Sequence, residues 1–124
     1  MLTINIPFKT PTINHMYGFR GYHKFMTKEG KELRKRIIER TKALIKHTDM
    51  YYYKNKQLKV TVMIHENWFT KKGEIARKDI SNREKFLIDS VFEGIGLDDK
   101  QIFSHRMRKY QDDDEYAVVM IEVL

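Results

Sequence analysis

The sequence predicts an α+β fold: a single domain with a mixed β-sheet and two main helices packed on it. Three observations predict it. Apolar residues alternate along 2–8 and 58–64, and run almost without a break along 116–124, as strands do. Apolar residues recur at helical spacing along 27–47 and 82–93, the mark of one-sided helices. The 124 residues contain no repeat, linker or low-complexity segment, so one domain spans 1–124.

Leu2, Ile4, Ile6 and Phe8 point one way, Thr3 and Asn5 the other. That is a half-buried strand, and Pro7 makes its far end an edge or an exit. Residues 9–27 combine early prolines with Gly18 and Gly21 and read as a long loop. Asn14, His15, Tyr17, Arg20, Tyr22, His23 and Lys24 mix aromatic with basic character there. Such a loop suits phosphates and bases; the alternative is a plain surface loop with its aromatics tucked into the core. Thr27 then caps a helix reaching about His47. Leu33, Ile37, Ile38, Leu44 and Ile45 form its apolar arc, with lysines and arginines over most of the rest.

Residues 49–57 read as a turn, followed by the strand at 58–64. Trp68 and the pair Lys71-Lys72 lie in its continuation. After Asp99, the residues Ile102, Phe103 and Met107 alternate roughly with Ser104, Arg106 and Arg108. An acidic turn at 112–115 and a final strand follow, which reads as a closing β-hairpin. The final strand is apolar enough to be central or covered on both faces.

Charge narrows the function. Lysine and arginine number 24 against 17 acids, a formal +7. That surplus favours a polyanionic partner, nucleic acid or an anionic membrane surface. There is no cysteine, which excludes a disulfide framework and a thiolate zinc site and fits a reducing compartment. No run is long and apolar enough to span a bilayer, and the N-terminus lacks a secretory pattern. The expectation is a soluble, cytoplasmic protein.

The chemistry concentrates between Lys78 and Gln101. Ser81 followed by Glu84 is a capping-box pattern, setting a helix over 82–93 that Gly94 and Gly96 stop. Leu87, Ile88, Val91 and Phe92 face the core. Asn82, Lys85 and Asp89 fall on the opposite side. Phe86 lies on that polar side and packs against the preceding loop or a partner chain. Asp79 precedes the helix, and Asp98-Asp99 follow it. Carboxylates flanking a lysine suit a Mg²⁺ ion held against a phosphate. The spacing equally allows a helix-start acid at Asp79, an ordinary Lys85–Asp89 pair and a simple turn at Asp98-Asp99.

With these residues in view, the chain resembles the RusA family of Holliday-junction resolvases, small homodimeric Mg²⁺-dependent endonucleases of phages and bacteria. Asp79, Asn82, Lys85 and Asp89 match the family's D-x-D-N-x-x-K-x-x-x-D pattern. Asp98, Asp99, Gln101 and Ile102 match its D-D-x-Q-[IV]. Pro11, Asn14 and Tyr17 are similar to its P-x-x-N-x-x-Y element. The resemblance implies catalytic Asp79, Lys85 and Asp99, with Asp79, Asp99 and Asp98 holding Mg²⁺, or Mn²⁺ in its place. Ser81 departs from the pattern: it stands at the family's second essential acid and would hold a ligand water at best. The implied partner is branched DNA (a four-way junction), bound by a homodimer, with no membrane partner. Its contacts would come from Asn14, Tyr17, Arg20, Lys24, Lys71, Lys72, Arg77, Lys78, Asn82, Arg106 and Arg108, with His15 and His23 better placed than His65 or His105. The implied function is resolution of four-way junctions in recombination and repair, by a phage or prophage protein in the bacterial cytoplasm. Two alternatives remain: a catalytically weakened binder of branched DNA, and a protein-interaction module engaging a regulator.

Overall fold

The computed structural model describes residues 1–10, 16–78 and 80–124, and only the backbone of residues 81 and 82. The predicted residues Pro11, Asn14, His15 and Asp79 therefore lie outside the described residues.

Strand β1 (Leu2–Ile6) buries Leu2, Ile4 and Ile6 and exposes Thr3 and Asn5. Residues 17–26 are not loop. They form an antiparallel hairpin of β2 (Tyr17–Arg20) and β3 (His23–Met26), outside the main sheet. Gly21, at φ +59°, makes the turn, since a two-residue hairpin turn needs a left-handed residue. The hairpin hides little of itself, so it leaves no buried alternation for the sequence to show. Its base is fixed where the Thr27 amide donates to the Met16 carbonyl at 2.8 Å.

Helix α1 (Lys28–Leu44) starts as the sequence predicts. Thr27 is its N-cap and accepts from the Gly30 amide at 3.1 Å. Leu33 and Ile37 are buried, but Leu44 is 41% exposed and Thr41 is buried in its place. The reason is the second helix, α2 (Ser81–Ile95). A Cβ on Gly94 would stand 2.8 Å from the Thr41 Cβ. The helices approach too closely for a leucine at the crossing, and small side chains take it. Ile80, not Ser81, is the N-cap of α2, with no side-chain capping bond of its own. The helix therefore starts one residue earlier than the predicted 82, and the Ser81 side chain of the predicted capping box lies outside the described ones. Phe86 is fully buried rather than on a polar face, and its ring meets Tyr17 edge-on at 6.4 Å. Gly96 ends α2 at φ +72°.

The main sheet has four strands in the order β1-β6-β4-β5. Strand β4 (Leu58–Glu66) is parallel to β5 (Ile102–Gln111) and antiparallel to β6 (Tyr116–Val123). The sheet is therefore mixed. The closing hairpin predicted at 102–124 is corrected: β5 and β6 are consecutive but lie on opposite sides of β4. The connection β4–α2–β5 is a strand–helix–strand crossover, which sets parallel strands side by side. The apolar β6 then takes the interior place between β4 and β1. His65, near the end of β4, stacks between Tyr110 of β5 (4.7 Å) and Tyr116 of β6 (4.2 Å). That sandwich holds the chain where it passes over β4.

One core joins the inner faces of β1, β4 and β6 to Leu33 and Ile37 of α1 and Phe86, Leu87, Val91 and Phe92 of α2. Among the described residues no helix covers the outer face, where Met63, Val118 and Met120 are half-buried. So β6 is central, as predicted, but covered by helices on one face only. No helix among the described residues is long and apolar enough to cross a membrane.

In an open helix Gly94→Ala would gain about 0.5–1 kcal/mol. Here the added methyl meets Thr41, and the expected result is a loss of about 1–3 kcal/mol, seen as a lower urea midpoint at unchanged slope. A raised midpoint would show that the two helices part freely.

Candidate active site

The site forms where α2 begins above the end of β4. Glu66 closes β4 on its core-facing side and is only 2% exposed. A charge there must find counter-charge. Arg83, turned inward from the first turn of α2, forms a buried ion pair with one Glu66 oxygen. Lys78 reaches the other at 3.2 Å and donates to the Asn67 carbonyl at 2.7 Å. Burial alone would push the Glu66 carboxyl up, but Arg83 and Lys78 outweigh it and hold it below the usual range. Trp68 seals the cluster, its Nε1 donating to the Tyr110 carbonyl at 2.9 Å.

With Arg83 inward, the helical period turns Lys85 and Asp89 outward. They open onto a cavity of about 330 Å³ lined by Glu84, Lys85, Ile88, Asp89, Asp99, Ile102 and His105. A second cavity of about 490 Å³ shares Asp89 and Asp99 and adds Arg34 and Asp98. Asp99 begins a short 3-10 turn (Asp99–Gln101). Gln101 pins that turn, donating from Nε2 to the carbonyls of Tyr53 (2.9 Å) and Lys56 (3.1 Å). Asp98 is engaged as the turn's cap, accepting from the Lys100 amide at 3.0 Å.

Glu84 and His105 are the residues that the sequence reading passed over. The Glu84 carboxylate faces the cavity, 2.5 Å from His105 Nε2. His105 reaches it through a register shift: Leu58 pairs with Ile102 but Lys59 with Ser104. The extra residue, Phe103, is a β-bulge, which changes the phase of a strand. Both Ile102 and His105 therefore face α2. Arg106 and Arg108 pair with Thr61 and Met63, so they project from the outer face, away from the cavity.

The cavity holds more negative charge than its cations neutralise. Burial pushes the Glu84 carboxyl up, His105 draws it back and Asp89 repels it. Burial also pushes Asp89 up, Lys85 opposes, and Asp99 adds repulsion. The Tyr17 hydroxyl is likewise pushed up, by burial and then by Asp89. Oxygen donors with surplus negative charge fit a hard divalent cation such as Mg²⁺ or Mn²⁺. Among the described residues no three acids or histidines already converge as a metal cluster.

The other predicted contacts scatter. Arg20 and Lys24 are exposed on the β2–β3 hairpin, and Lys71, Lys72 and Arg77 on the segment between β4 and α2. Lys78 is bound to Glu66. The side chains of Ser81 and Asn82 are outside the described ones. His23 is exposed on β3, and His105, ranked lower from sequence, is the histidine that reaches the cavity.

Compared with known families, residues 7–122 match the family model described as Endodeoxyribonuclease RusA. No individually curated protein matches the chain.

Two substitutions test these electrostatics. The folded pKa of Asp89 is raised, so its ionised form costs stability at neutral pH, and the cost is relieved as pH falls through that value. Asp89→Asn is expected to raise Tm at pH 7, with the gain vanishing below about pH 4. The folded pKa of Glu66 is depressed, so its contribution is full above the unfolded value and lost as pH falls through the folded one. Glu66→Gln strands Arg83 and is expected to cost about 3–5 kcal/mol at pH 7. Urea unfolding of both variants across pH checks the opposite signs.

Proposed function

The chain belongs to the RusA endodeoxyribonuclease family, and on that footing we propose that it is a homodimeric, Mg²⁺-dependent resolvase of four-way DNA junctions. Nucleases of this family act on branched DNA and depend on a divalent metal. The observation that carries the proposal is Lys85 set between Glu84 and Asp89 on one face of α2, with Asp99 lining the same cavity. We place the protein in recombination and repair, in the cytoplasm of a bacterium and of phage or prophage origin.

Hydrolysis adds a water oxygen to phosphorus and releases the sugar oxygen of one strand. Negative charge grows on the non-bridging oxygens as this happens. The Lys85 ammonium neutralises that charge. Asp79 and Asp99 would hold the Mg²⁺ ion, with Asp98 beside them. Bound there, the ion supplies Lewis acidity and an acidified water. Glu84 takes up the work of the acid missing at Ser81. It follows Ser81 by three residues, and helical side chains lean toward the N-terminus, so its carboxylate overlies the turn that Ser81 begins. His105 fixes that carboxylate, as partners of metal-site ligands do.

DNA would reach the cavity past the β2–β3 hairpin (Arg20, Lys24), whose base packs on α2 through Tyr17 and Phe86, and the 67–78 segment (Lys71, Lys72, Arg77), which precedes α2. Arg106 and Arg108, on the far face, would meet a different arm of the junction. Binding should weaken steeply with salt. A two-fold dimer presents two such sites to two symmetry-related strands.

The test is cleavage of an end-labelled four-way junction in Mg²⁺. Paired nicks are expected, falling roughly 10²-fold or more in Asp79→Asn and Lys85→Ala, falling in Glu84→Gln and rising in Ser81→Asp. The serine itself favours a second reading, a junction binder with weakened cleavage. Tight binding with no nicks at any Mg²⁺ or Mn²⁺ concentration would establish that reading and sink the nuclease.

A further inference from the structure

We propose that the β2–β3 hairpin is a wedge that stacks its aromatic side chains on unpaired bases at the branch point of DNA; this rests on the junction reading above and adds the part of the substrate recognised. Phe19 is 69% exposed, Phe25 37%, and Tyr22, at the turn, is fully exposed. Three large aromatics on a short ribbon outside the main sheet is an arrangement with a partner in view, because exposed apolar clusters mark contact surfaces.

The ribbon's register sorts its residues. Tyr17 pairs with Met26 and Phe19 with Lys24; Gly18 pairs with Phe25 and Arg20 with His23. Cross-strand partners share a face. One face is therefore Tyr17, Phe19, Lys24 and Met26, and the other Gly18, Arg20, His23 and Phe25. The first face is anchored at its base, where Tyr17 meets Phe86 and Met26 lies against Gly30. Phe19 continues that face outward from Tyr17, whose ring packs on Phe86 of α2, the helix that carries Lys85 and Asp89. On the second face the Phe25 ring lies across Gly18, where a Cβ would meet it at 2.6 Å. A side chain at 18 would lift that ring.

Cations lie against the aromatic rings on both faces of the ribbon. Arg20 stands 5.6 Å from the Phe25 ring centroid, and Lys24 is 4.1 Å from that of Tyr17. Lys24 pairs with Phe19 across the strands. The partner is thus flat, apolar on its faces and surrounded by negative charge, as a nucleobase on a phosphate backbone is. Paired bases in a duplex hide their faces in the stack. Bases at a branch point or in a single strand do not. The ribbon's four residues per strand reach roughly 13 Å, so a base stacked near its tip lies within a few nucleotides of a phosphate in the cavity.

The measurement uses the Asp79→Asn chain, so that DNA stays whole, and a four-way junction carrying 2-aminopurine at its branch point. Binding is expected to change the 2-aminopurine fluorescence. In Phe19→Ala/Tyr22→Ala, exposed positions that leave the core untouched, that change should be lost and junction affinity should fall roughly ten-fold or more. Affinity for plain duplex should stay within about two-fold, since the phosphate contacts remain. A double variant with unaltered fluorescence and affinity overturns the wedge alone. A double variant that sediments as a monomer where the parent is a dimer also overturns it, by assigning the aromatics to a second copy of the chain. A parent that binds junction no better than duplex overturns the junction reading and the wedge together.

Discussion

The buried charge at the end of β4 constrains the rest of the site. Glu66 follows Val60, Val62 and Ile64 on the core-facing side of its strand, a place where an unpaired carboxylate would be intolerable. Arg83 answers it, and Arg83 can do so only from the first turn of α2. That fixes both where the helix starts and how it is rotated. Arg83, Phe86, Leu87, Ser90 and Val91 turn inward, and Lys85 and Asp89 have no direction left but outward. Lys78 gives Glu66 a second counter-charge and ties down the residue before Asp79. Cations crowd this cluster: Arg83, Lys78 and Lys109 stand 5.3, 5.7 and 4.8 Å from the Trp68 ring centroid. One carboxylate and one aromatic face together hold them. The pair is an expensive way to join a strand to a helix, and an apolar pair would do for stability alone. What it adds is a single rotation for α2.

The second constraint sits across the cavity. Without the bulge at Phe103, strict alternation would carry Ser104 and Arg106 to the side of Ile102 and turn His105 away. One inserted residue exchanges those roles. It brings His105 to Glu84 and sends the arginines to the outer face. A basic strand that would have neutralised the acidic cavity is thereby kept off it. The surplus negative charge around Asp89 is therefore a product of strand phase as much as of composition. It lowers stability, in the way functional sites commonly do, and leaves the cavity wanting a cation.

The parts of this fold legible in the sequence are those whose burial is one-sided. β1, β4, α1 and α2 each hide one face in a common core, and period alone reveals them. The β2–β3 ribbon hides almost nothing, so its pattern carries no strand signal and it reads as loop. Strand order is illegible for a different reason. Apolar runs say that β6 is interior but not which strands flank it, and the crossover through α2 decides that. Leu44 and Thr41 exchange places because helix contact distance depends on Gly94, far along the chain. The site was legible as a set of residue types: Lys85, Asp89 and Asp99 do meet at one cavity. Glu84 was not, because an acid three residues after a serine at a helix start has two uses, and only the position of His105 distinguishes them.

That distinction bears on the serine. A capping glutamate spends its carboxylate on backbone amides and has nothing to offer a substrate. Ile80, not Ser81, is the N-cap of α2. The Glu84 carboxylate is met by His105 across the cavity instead, and stays partly desolvated there. Moving a carboxylate by three residues along a helix shifts it by about one turn and keeps it on the same face. The longer glutamate side chain, leaning back toward the N-terminus, recovers much of that shift. On the nuclease proposed above, the charge deficit at Ser81 would be met by a local rearrangement of acids on one helical face, with His105, delivered by the bulge in β5, holding Glu84 in place.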